Sequence, residues 1–175
     1  MATAARKLEP DTYERPAPAA APSANDSAGV IAPPPLIYLG TLGIGLGLDV
    51  AIGSGSVPST IAIPAGTALI IAGTGLLGSF ARAFLGANTP IDPYTPSTAI
   101  VTNGPFRLTR NPAYLGMALT YAGIAFIFKA PWALVPLPVA IAIIDRGVIA
   151  REERYLERKF GARYTAYKHR VRRWI

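Results

Sequence analysis

The chain has 175 residues, enough for one domain, with 15% charged and 51% hydrophobic residues and a positive mean hydropathy of +0.33. A soluble globule carries about a quarter of its residues as charges, so this balance, with the apolar residues gathered into runs, points to a membrane protein. There is no cysteine and one histidine, His169; this excludes disulfides, thiolate metal sites, a cysteine nucleophile and a histidine-rich metal centre. The net charge of +7 is unevenly placed: −1 over residues 1–32, +2 over 33–144 and +6 over 145–175.

In chain order, residues 1–32 are Ala/Pro-rich and polar, as in "RPAPAAAPSANDSAG". That composition cannot bury a core, so a disordered tail is expected there, followed by a membrane domain over 33–175. It is not a signal peptide, because the first apolar run begins only around Pro35. Four apolar stretches follow, at about 35–53, 61–85, 112–128 and 131–150. Each approaches the roughly 20 residues that a crossing helix needs. Backbone in lipid must satisfy its own hydrogen bonds, so the expected fold is an all-α integral membrane protein with about four transmembrane helices. Gly40, Gly43, Gly45, Gly47, Gly73, Gly75 and Gly78 crowd the first two stretches; they read as helix-packing positions. "GIGLG" has no preceding strand and no lysine, so it is not a phosphate loop. Pro136 and Pro138 should break the fourth stretch.

The segment 151–175 is amphipathic, with Leu156, Phe160, Tyr164, Tyr167 and Val171 at helical spacings and basic residues between them. Gly161 should divide it into two short helices. Basic residues concentrate in the 86–111 loop and in this last segment. The positive-inside rule therefore places both of these and both termini in the cytoplasm. Beside apolar runs, such a basic segment suits anionic lipid rather than nucleic acid.

Polar residues gather at 98–116 and 145–154. Glu152 and Glu153 are adjacent, so on a helix they point about 100° apart and cannot face one site equally. Asn111-Pro112 reads as a helix start, where free N–H groups favour an anion.

The motif V-T-x-G-P-[FY]-x-x-x-R-[HN]-P-x-Y-x-G is matched from Val101 to Gly116. The Glu152-Glu153 pair follows, and then F-G-x-x-Y-x-x-Y from Phe160 to Tyr167. In this order and spacing, over about residues 80–175, the chain resembles the isoprenylcysteine carboxyl methyltransferase and phospholipid methyltransferase superfamily, in its bacterial form. The resemblance implies an integral-membrane enzyme, lodged in a bacterial inner membrane. It would transfer a methyl group from S-adenosylmethionine to a lipophilic carboxylate, amine or thiol entering from the bilayer. The cofactor contacts it implies are Ile100, Val101, Phe106, Asn111, Pro112, Ala113, Tyr114 and Glu152, with Arg110 pairing either with the cofactor carboxylate or with the glutamates. Arg146 and Glu153 are candidates on the substrate side, and no metal is implied. The chain departs from the family pattern at Asn111, where histidine is common, and at Phe106, where tyrosine is common. Val148 stands where prenylcysteine-specific members carry a substrate-binding arginine. An NADPH-dependent reductase of the sterol-reductase type and a non-enzymatic scaffold are the competing readings. The reductase would need additional basic residues for the 2′-phosphate.

Overall fold

The structure is a computed structural model describing residues 27–53, 57–92 and 94–175. Helices and turns account for all regular structure among them. Helix α1 is Pro34–Ile52, α2 is Ser59–Gly86 and α3 is Pro112–Ile127. A short 3₁₀ turn, Pro131–Leu134, leads to α4, Leu137–Ile143. A π-helical segment, Ile144–Ile149, joins α4 directly to α5, Ala150–Phe160. Gly161, at φ 53°, then turns the chain into α6, Ala162–Arg170, which is the break expected at that glycine.

Three helical bodies are long and apolar enough to cross a membrane: α1, α2 and the run Pro131–Phe160. The stretch expected at 112–128 forms α3, which has only 16 residues. At 1.5 Å per residue it spans about 24 Å, short of a roughly 30 Å hydrocarbon core. Its limits are local: Pro112 sets the start, and Lys129, at φ 54°, turns the chain away. Pro136 and Pro138 act as expected. The helix begins afresh at Leu137, with Pro138 in the first turn, where its missing N–H costs nothing.

α2 and α3 pack antiparallel along a glycine seam. Gly66 lies against Gly123, and Gly73 against Gly116. A Cβ on Gly66 would sit 2.8 Å from the Gly123 carbonyl oxygen, and one on Gly73 would sit 2.6 Å from that of Gly116. Each helix repeats its glycine after seven residues, which returns it to the same face. The glycine-packing expectation thus holds at Gly73 and at Gly45, which meets the Ala133 backbone. It fails at Gly40, Gly43, Gly47, Gly75 and Gly78, which have open space around them. Tyrosine hydroxyls tie the remaining helices: Tyr38 donates to the Tyr114 carbonyl at 3.1 Å and Tyr121 to that of Ala133 at 2.8 Å. Outward faces of α1 and α2 carry exposed Leu36, Leu39, Ile44, Ile61 and Ile71, a surface suited to lipid.

The tail expected over 1–32 lies, for residues 1–26, outside the described residues. Residues 27–32 differ from that expectation. Val30 is buried in the main core, and the Ile31 side chain fills the space beside Gly147. The Gly29 carbonyl accepts from the Arg151 guanidinium at 2.9 Å. Val30 brings apolar area, and burying it, with the contact of Ile31 on Gly147, outweighs the polar bias of the preceding residues.

Candidate functional site

The site is built where the start of α3, the beginning of α5 and the segment after α6 meet. Asn111 is the N-cap residue of α3, and Pro112 holds the first helical position. The Asn111 side chain does not cap its own helix. It turns outward, and Nδ2 donates to the Arg173 carbonyl at 2.9 Å. Thr109, fully buried, accepts the Asn111 N–H at 3.1 Å and donates to the same carbonyl at 3.0 Å. The Arg110 N–H reaches the Arg172 carbonyl at 3.0 Å. Backbone oxygens of residues 172 and 173 thus accept three donors from 109–111: the Arg110 N–H, the Thr109 hydroxyl and the Asn111 side-chain amide.

The two glutamates diverge as adjacent helical positions must. Glu152 accepts a 2.6 Å hydrogen bond from the Tyr114 hydroxyl. Glu153 points the other way and is 4% exposed. Around it stand the guanidiniums of Arg110 at 2.8 Å and Arg173 at 2.6 Å, with Lys168 at 3.7 Å. A carboxylate buried to that degree needs such partners. Of the partners open to Arg110, the structure pairs it with Glu153 and, through its other terminal nitrogen, with the Lys168 carbonyl at 2.8 Å. Its Nε is buried without a hydrogen-bond partner.

The π-helical segment explains how Arg173 also reaches Asp145, at 3.1 Å. Residues eight apart on an α-helix are offset by about 80°. The π turn takes up one residue, leaving Asp145 and Glu153 only about 20° apart, so that one guanidinium spans both. Trp174 adds an indole N–H bond to Asp145 at 3.0 Å. Asp145, a costly charge if left unpaired near a membrane boundary, is thereby paired.

Ile100, Val101, Phe106, Arg110, Asn111, Pro112, Ala113, Tyr114 and Glu152 all line one cavity, and Glu153 borders it. Glu152 is half-buried by area because it faces this cavity. Arg146, the other substrate-side candidate, is exposed and is not part of the lining. The missed wall is aromatic: Phe80 and Phe84 from α2, Tyr155 from α5, and Tyr164 and Tyr167 from α6. Phe84 stacks on Phe106 with ring centres 5.7 Å apart. The Tyr167 hydroxyl donates to the Phe106 carbonyl at 2.8 Å, and burial pushes its pKa up to about 12, so it remains a donor at neutral pH. The Phe80-Phe84 spacing of four was visible in the sequence, but inside an apolar helix it does not differ from core packing. Arg173 and Trp174 lay in the last segment with its nine basic residues and nothing local to single them out.

Residues 61–163 match the model of a family described as phospholipid methyltransferase. That is more than half of the chain, and it contains the start of α3 and the beginning of α5. The chain belongs to the phospholipid methyltransferase family. With its apolar helices, this family member is an integral membrane protein. It is also similar to a protein of Haemophilus influenzae described only as uncharacterized, with 54% identity over 37 residues. That match covers 21% of this chain and 59% of the relative's length. No solved structure matches the chain.

Proposed function

We propose that this family member transfers a methyl group from S-adenosylmethionine to a lipophilic acceptor bearing a carboxylate, amine or thiol. One observation carries the reading. The Tyr114–Glu152 hydrogen bond joins the R-N-P-x-Y segment to the glutamate pair at the edge of a single cavity, across 38 positions of sequence.

The residues present suit the cofactor. Glu152 offers a carboxylate to an ammonium or ribose hydroxyl. The aromatic wall around Phe106 offers faces to an adenine or a cation. The start of α3 and the unpartnered Arg110 Nε offer donors to a carboxylate. When bound, S-adenosylmethionine supplies a sulfonium-activated methyl group. The chain's own contribution is alignment and exclusion of water, which can carry much of such a displacement. Tyr114 holds the Glu152 carboxylate in one orientation, and the buried Glu153 cluster holds the start of α3 beside it. Positive charge at this end of the molecule favours a cytoplasmic-facing cavity, both termini on that side, in a bacterial inner membrane. The acceptor then enters laterally between helices.

Among the described lining residues Arg110 is the one cation, and Glu153 already engages it. An NADPH 2′-phosphate would find no second cation there. Calorimetric titration of the detergent-purified chain with S-adenosylhomocysteine and with NADPH is the test. The expected result is micromolar binding of the first and none of the second, with binding lost in Glu152→Gln. Binding of neither refutes the reading and leaves a scaffold. A labelled-cofactor assay on lipid extracts then identifies the acceptor.

A further inference from the structure

We infer that Arg173 is a positioning residue for the cavity, acting through two walls that it does not itself line. This rests on the methyltransferase reading above.

The segment Val171–Ile175 leaves α6 in extended conformation and runs between the start of α3 and the body of α5. One residue in it bonds to both. Its carbonyl oxygen accepts from Thr109 Oγ1 and Asn111 Nδ2, at 3.0 and 2.9 Å. Its guanidinium donates twice to Glu153, at 3.1 Å from Nε and 2.6 Å from the terminal nitrogen, and also to Asp145. The carbonyl therefore fixes residues 109–111, three to five positions before Tyr114. The side chain fixes the neighbour of Glu152. Tyr114 and Glu152 are the pair whose 2.6 Å contact closes the cavity edge. Their separation depends on two elements with no covalent link nearby, and Arg173 ties one to the other. Only arginine fits this place. Its planar fork meets Glu153 in two parallel bonds while another N–H reaches Asp145. A lysine has one nitrogen and cannot make two parallel bonds to Glu153 while a separate N–H reaches Asp145.

Arg173 is absent from the cavity wall, so its loss should leave cofactor-contacting atoms in place but less well held. Glu153 keeps Arg110 and Lys168, so the fold should survive.

The test measures S-adenosylhomocysteine binding by calorimetry, with circular dichroism and thermal unfolding in the same detergent, for the full chain and for Arg173→Gln, Arg173→Lys and Asp145→Asn. The expected result is a graded loss of affinity. Arg173→Gln binds about tenfold more weakly, with Arg173→Lys and Asp145→Asn between it and the unchanged chain. Helix content stays unchanged, and in a turnover assay the cofactor KM rises more than kcat falls. Asp145→Asn keeps Arg173 in place but removes the ionic anchor that orients its guanidinium toward Glu153, so it reads the effect even if Arg173→Gln does not fold. Affinity within twofold of the unchanged chain in Asp145→Asn and in the folded Arg173 variants overturns the proposal. So does a loss that follows only the unfolded fraction. If the unchanged chain binds no S-adenosylhomocysteine, the cavity reading fails and takes this inference with it. If that chain binds and the variants bind equally, only the role of Arg173 falls.

Discussion

Two interfaces hold this molecule together by opposite means. Along the α2–α3 seam, Gly66, Gly73, Gly116 and Gly123 bring two backbones into contact, and no charge takes part. At the polar end, Asp145, Glu153, Arg110, Arg173 and Lys168 bind the start of α3, α5 and the segment after α6 through charge-assisted bonds. The seam works by dispersion and close approach, the main resource where lipid already solvates apolar side chains. The polar end works by mutual neutralisation around the buried Glu153, which three cations share. The difference teaches where tolerance lies. A seam tolerates any change that adds no volume, while the charge cluster tolerates the loss of a partly exposed member but not of the buried Glu153.

Substitutions can break that contrast in order of size. Glu153→Ala should cost most, about 3–5 kcal/mol, because it leaves the buried Arg110 guanidinium without an acid partner; the thermal unfolding midpoint in detergent reads this. Gly73→Leu should cost about 3 kcal/mol by the same measurement, since its Cβ alone would meet the Gly116 carbonyl oxygen at 2.6 Å. Tyr114→Phe removes one bond to Glu152 and should weaken S-adenosylhomocysteine binding by about tenfold. Lys168→Ala removes partly exposed bridges and should shift stability by no more than about 1 kcal/mol, with less effect at high salt. Gly75→Ala, with open space around that position, should leave the unfolding midpoint unchanged. A seam that tolerates Gly73→Leu, or a polar end indifferent to Glu153→Ala, would show that the two interfaces are not built as described.

Much of the site was readable because its residues cluster in two short motifs. Every cofactor-side candidate from Ile100 to Tyr114, together with Glu152, lines the same cavity. Arg146 lies apart from that cavity. It sits in the π-helical segment, whose altered register cannot be read from an apolar sequence. The seam was half legible: the glycines are visible, but which of them face a neighbour depends on the rotation of α2 against α3. The places of Val30 and Ile31 were hidden for a related reason, since the core that takes Val30 and the space at Gly147 that takes the Ile31 side chain exist only once the helices are packed.

Sequence alone therefore determined that the chain enters a membrane, that its helices start and stop near Asn111-Pro112, Pro136 and Gly161, and which motifs carry polar chemistry. These follow from hydropathy, proline and glycine geometry and residue type, all local properties. Tertiary structure decided the partners of Arg110, Glu152 and Glu153, and the place of Arg173 among them. Those depend on bringing positions 20 to 64 residues apart to between 2.8 and 3.1 Å, a distance set by how the helices pack and not by any one stretch of chain.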